Sequence, residues 1–161
     1  MTGTDPDIPS LLERLDRITA FHKHLAVINP GVSNWSIGQQ AEHVVRATSA
    51  FTVLILRNRV SDGNAEVKPI KDALLSRGFI PRGAAEAPEG THPAADTDPA
   101  QLHQLLLKTR NRVERLIEVD PDAVAVHPYL GEMKRDEIIR FMVIHLDHHL
   151  SIMREILESG S

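Results

Sequence analysis

The chain has 161 residues, 42% of them hydrophobic, which is enough for one domain with a single core. Its formal net charge of -4, from 18 basic and 22 acidic residues with no run of like charges, lacks the basic footprint of a nucleic-acid binder. The absence of cysteine removes disulfides, thiol nucleophiles and thiolate ligands, so any bound metal must be held by nitrogen or oxygen, and it suits a reducing cytoplasm.

The first residues, Met1 to Asp7, have neither the basic start nor the apolar run of a signal peptide, and no stretch approaches the ~18 consecutive apolar residues of a membrane span. The expectation is a cytoplasmic protein without a membrane or nucleic-acid partner, forming one domain over residues 1–161 with frayed ends at 1–8 and 159–161. After Pro9, Leu11, Leu12, Leu15, Ile18, His22 and Leu25 recur at three- and four-residue spacing and predict a helix to about Val27, ended by Asn29-Pro30-Gly31. Ser36-Ile37-Gly38-Gln39 is a capping-box pattern that opens a second long helix, running to about Val60 with His43 inside it. Ser61-Asp62-Gly63-Asn64 then reads as a turn.

Residues 65–95 are rich in Gly and Pro, and only Pro69 to Arg77, closed by Gly78, reads as a short helix within a long connection. Asp98-Pro99 caps a third long helix that ends near Val119. A loop through His127-Pro128-Tyr129-Leu130-Gly131 leads to the last helix, from about Arg135 to Glu158, whose start is poorly capped by Met133 and Lys134. Four long helices with a long second connection and no alternating strand pattern predict an all-α, four-helix bundle.

The last helix carries the informative segment, His145-Leu146-Asp147-His148-His149. At about 100° per residue, His145 and His149 differ by about 40°, and Ile138, Phe141, Ile152 and Ile156 fall within about 40° of His145. The pair therefore lies in the middle of the core-facing stripe. Two imidazoles there are either separately satisfied core groups or neutral co-ligands of one cation, the latter a known use of an i, i+4 pair. His148 falls at the edge of the stripe, as a surface residue or one that touches a ligand. His43, beside Ala47, Ala50 and Leu54, is an ordinary core histidine taken alone and a third ligand if the second and last long helices touch. Three neutral nitrogens with an open fourth position suit Zn²⁺, Ni²⁺ or Fe²⁺. His22 lies on the first helix's apolar stripe and, like Trp35, Arg46 and Tyr129, is a candidate pocket residue. Glu42 and Asp147 point away from the histidines, towards solvent or an indirect contact, and no general base is evident. Any nucleophile would come from water or a thiol activated by the metal.

Trp35-Ser36-Ile37-Gly38-Gln39-Gln40-Ala41-Glu42-His43 and His145-Leu146-Asp147-His148-His149 resemble the two signature segments of the DinB/YfiT-like superfamily of metal-binding four-helix proteins. His127-Pro128-Tyr129-Leu130-Gly131 is similar to one uncharacterised branch of it. The resemblance implies a divalent metal, commonly nickel or zinc, held by His43, His145 and His149, and a homodimer acting on a small-molecule substrate. Family members include S-transferases that use a low-molecular-weight thiol (bacillithiol, mycothiol or glutathione), a mycothiol-dependent isomerase, and metal-dependent hydrolases. These leave three readings: a thiol transferase, a hydrolase, and a non-catalytic stress-associated protein that binds a metal or small ligand. Where the family often has glutamine three residues after the last histidine, this chain has Ile152, which predicts a missing polar contact to a ligand.

Overall fold

The computed structural model describes residues 7–57, 59–61, 63, 68–83, 87 and 90–159. Much of the expected fraying at the two ends, and parts of the expected turn at 61–64 and of the 65–95 connection, lie outside the described residues.

Helix α1, Ile8–Ile18, opens where the Asp7 carboxylate accepts the Ser10 amide at 3.0 Å, and it buries Leu11, Leu15 and Ile18. The expected run to Val27 is too long. After a 3₁₀ turn at Thr19–Phe21 the chain folds over, and the Leu25 and Val27 carbonyls accept the Gly38 and Ile37 amides at 2.8 and 2.9 Å. Those carbonyls satisfy the free amides at the start of the next helix and are lost to α1. The approach requires Gly38, because a Cβ there would stand 2.9 Å from the Leu25 carbonyl oxygen and 2.7 Å from Thr97 Oγ1.

Helix α2, Ile37–Leu56, has both halves of the predicted capping box, Ser36 Oγ accepting from the Gln39 amide and Gln39 Oε1 from the Ser36 amide. It ends at Leu56 rather than Val60, since the Arg59 carbonyl accepts the Val124 amide and joins a hairpin. Helix α3, Pro69–Arg77, is closed by Gly78 at φ +80°, as predicted. Helix α4, Pro99–Glu114, begins on the Asp98 carboxylate and continues as a 3₁₀ turn to Glu118.

The segment read as a loop before the last helix contains a hairpin, β1 Val124–His127 and β2 Gly131–Lys134, antiparallel with His127 opposite Gly131. Four-residue strands are too short for an alternating pattern to stand out in the sequence. β2 runs directly into α5, Arg135–Ser159. The weak cap is repaired from inside the helix, where Glu137 Oε1 accepts the Lys134 amide at 3.0 Å.

Helices α1 and α2 each pack on both α4 and α5. Across α2 and α5 the residue order runs in opposite directions, His43 facing His145 and Phe51 facing Phe141, so the pair is antiparallel. Across α2 and α4 it runs the same way, Gly38 beside Thr97 and Ser49 beside Arg112, so that pair is parallel. The fold is an all-α bundle with up-down-down-up topology, and the parallel pair is what requires the long crossover between α2 and α4. The core centres on residues such as Leu15, Ile37, Ile55, Ile138, Met142 and Leu146. Among the described residues no helix is long and apolar enough to cross a membrane.

Candidate metal centre

The antiparallel packing of α2 on α5 brings His43 to the two histidines of α5. One ring nitrogen from each of His43, His145 and His149 falls in a group spanning no more than 4.8 Å. Nε2 of His149 is 3.1 Å from Nε2 of His145. The three rings do not stack; their planes meet at 64° to 89°, with centroids 4.7 to 5.4 Å apart, as rings turned towards a common point do.

Two of the outer nitrogens are tied down. The Nδ1–H of His149 donates to Gln40 Oε1 at 2.6 Å, and the Gln40 amide nitrogen donates to Ser33 Oγ at 2.9 Å, which orients the amide. The Nδ1–H of His43 donates to the Thr91 carbonyl at 2.9 Å. With the proton on Nδ1, each neutral ring keeps its lone pair on Nε2. Phe141 stacks on His145 at 5.5 Å with planes 15° apart and sets that ring's orientation.

Burial, reinforced by the neighbouring imidazoles, holds the pKa of His145 and of His149 well below the ordinary histidine value. Burial also lowers that of His43, with the Thr91 carbonyl partly opposing it. All three are therefore neutral near pH 7, the protonation state that metal ligation requires. A tetrahedral ion with bonds of about 2.0–2.1 Å needs its nitrogens about 3.3 Å apart. The 3.1 Å separation of the His145 and His149 Nε2 atoms fits that requirement, and the three ring nitrogens together span no more than 4.8 Å.

The long crossover completes the site. Gln39 donates to the Ala94 and Ala95 carbonyls, and the Glu42 carboxylate accepts the Ala94 amide at 3.2 Å, which fastens residues 91–95 over α2 and delivers the Thr91 carbonyl to His43. Glu42, expected to face solvent or make an indirect contact, makes the indirect contact: it is 6% exposed and also pairs with Arg46 at 2.7 Å. Asp147 pairs with Arg14 on α1 at 3.0 Å.

Trp35 lies against His43, ring centroids 5.1 Å apart, and His148 meets His149 at 5.0 Å. Arg46 is directed elsewhere, into a hollow of about 470 Å³ along α2 that Arg57 and Arg112 also line. Tyr129 is exposed and stands beside His127 rather than beside the cluster. His22 is exposed and bonds the Thr19 carbonyl through Nδ1, because α1 stops at Ile18 and the helical phase that placed His22 on the apolar stripe stops with it.

Sequence reasoning misses Gln40 and Thr91 as site residues, and it offers His127 only as a loop histidine at the mouth of the site. Gln40 is the sharpest case: the amide sought at position 152 on the last helix comes instead from α2, while Ile152 is buried in the core. Its position one turn before His43 was the available signal. His127 appears as a loop histidine in the sequence, and only the hairpin turns it inward.

The comparisons with curated proteins and with solved structures return no match. The family model of the DinB superfamily matches residues 7–153, nearly the whole of the described bundle and all three clustered histidines, so the chain belongs to the DinB superfamily.

Proposed function

We propose that His43, His145 and His149 hold one divalent transition metal, zinc or nickel with iron(II) third, and that the centre activates a low-molecular-weight thiol for attack on a small electrophile. The observation that carries this reading is the convergence of three neutral imidazoles, two of them oriented through Nδ1 by Gln40 and Thr91. Bound there, the metal supplies Lewis acidity that lowers the pKa of a thiol or water. Three protein ligands leave a position open to an incoming group, and His145 is the ligand that keeps a partly exposed surface.

Thiol transfer is preferred to hydrolysis on the family resemblance, with one observation beside it. Among the described residues no carboxylate joins the histidine group, and the two nearest in sequence are engaged elsewhere, Glu42 with Arg46 and Ala94 and Asp147 with Arg14. A thiol needs only to lose its proton, whereas water attack generally draws on a positioned base as well. Work as a homodimer rests on the family resemblance alone, and a cytoplasmic site of action on the cysteine-free composition.

The test begins with elemental analysis of protein purified without a histidine tag. About one equivalent of transition metal is expected, falling below about a tenth in His145→Ala and His149→Ala. Loaded protein is then assayed with thiols against electrophiles, beside esters and amides. Thiol consumption without ester or amide cleavage supports the transferase reading; cleavage without thiol replaces it with a hydrolase. Metal without turnover of either kind leaves a binding protein.

A further inference from the structure

His127 is a buried imidazole outside the ligand set. It ends β1 and is 6% exposed. Phe51 stacks on it at 4.8 Å with planes 17° apart, and Phe141 meets it edge-on at 4.7 Å. Phe141 is also the ring that stacks on His145, so one phenyl group separates His127 from the cluster.

The Nδ1 of His127 accepts two backbone hydrogen bonds, from the Tyr129 amide at 3.0 Å and the Leu130 amide at 3.1 Å. A ring nitrogen that accepts carries no proton, so the neutral ring has its hydrogen on Nε2. Burial lowers the pKa to about 4, which keeps the ring neutral at physiological pH. Among the described residues Nε2 has no hydrogen-bond partner, yet the buried side-chain atom that is both sealed from solvent and unpartnered is Thr97 Oγ1. Nε2–H therefore reaches accessible space while the rest of the ring is packed. Holding the turn does not require an imidazole, since Asn or Asp makes such bonds from turn positions.

We propose that His127 is a binding residue of the same centre, donating Nε2–H in one fixed tautomer to an oxygen at the far end of the small molecule that the cluster holds. This rests on the metal-centre reading above. Because Nε2 already carries the proton and the Nδ1 lone pair is occupied, the group donates and does not accept. The ligand class that fits is bifunctional, with a metal-seeking or reacting group at one end and, beyond the width of the Phe141 ring, a carbonyl or carboxylate at the other.

The experiment compares two zinc-directed probes on zinc-loaded protein by calorimetry: acetohydroxamate, and the monohydroxamate of succinic acid, which adds a distal carboxylate. Wild-type protein is expected to prefer the succinate probe by roughly tenfold, the worth of one hydrogen bond to a charged acceptor. His127→Asn keeps an acceptor for the two turn amides and loses the distal donor, so zinc content holds while the preference falls to about one. His127→Gln places an amide N–H near the Nε2 position and restores part of it. An equal preference in wild type and His127→Asn, or none in wild type, overturns the proposal while leaving the metal centre standing. A wild-type protein that takes up no zinc or nickel overturns both. Ring-nitrogen NMR of the wild type is a check that needs no variant to fold: a protonated Nδ1 on His127 at pH 7 also overturns it.

Discussion

Replacing Gln40 by methionine tests the part of the site that lies behind the ligands. The substitution keeps length and volume while removing the acceptor that holds His149 Nδ1–H at 2.6 Å and the donor to Ser33 Oγ at 2.9 Å. Gln40 is 3% exposed, so water is poorly placed to take over. A buried donor left without a partner costs about 1–3 kcal/mol, and the ring is then free to turn or to move its proton to Nε2, the lone pair the metal needs. Loss of such an outer partner typically weakens metal binding by roughly 10–100-fold, equivalent to about 1.4–2.7 kcal/mol. The assay is a zinc competition titration against a chelator of known affinity, run on wild type, Gln40→Met and Gln40→Glu. The glutamate variant keeps an acceptor at the same atom and adds negative charge beside the site, so its affinity should equal or exceed wild type. Zinc affinity in Gln40→Met within twofold of wild type would refute the view that Gln40 orients the ligand.

Three further outcomes follow from the same geometry. His127 has a folded-state pKa of about 4 against roughly 6.5 unfolded, so its contribution is complete above pH 6.5 and is lost as pH falls towards 4, a change of about 3 kcal/mol at most. Urea midpoints of chelator-treated protein should therefore drop between pH 7 and pH 5, with a smaller drop in His127→Asn; an equal drop in both contradicts the assignment. Gly38→Ala would push a Cβ to 2.7 Å from Thr97 Oγ1 and 2.9 Å from the Leu25 carbonyl oxygen, at a cost of about 1–3 kcal/mol, seen as a melting temperature lowered by several degrees. His22→Ala, at an exposed position, should change stability by less than about 0.5 kcal/mol and leave metal content unchanged by elemental analysis.

Helix geometry is what made part of the centre legible in the linear chain. His145 and His149 share a turn of one helix, so their common face follows from about 100° per residue whatever the helix packs against. The capping box at Ser36 and Gln39, the Asp98 cap and the Gly78 terminator are equally local, each an exchange between a side chain or backbone angle and amides a few residues away. α1 and α2 end short of the lengths the sequence predicts because the chain beyond them gives up helical bonding for distant partners, Leu25 and Val27 for the start of α2 and Arg59 for the hairpin. His22 leaves the apolar stripe for the same reason.

The amino-acid sequence by itself thus determined the helices, their apolar stripes and the paired imidazoles of α5, all set by interactions within a few residues. Only the tertiary structure decided that α2 lies antiparallel to α5, that Gln40 and Thr91 turn two of the three rings, and that His127 faces inward behind Phe141. Those contacts join residues from 14 to 109 positions apart, and no spacing along the chain encodes them.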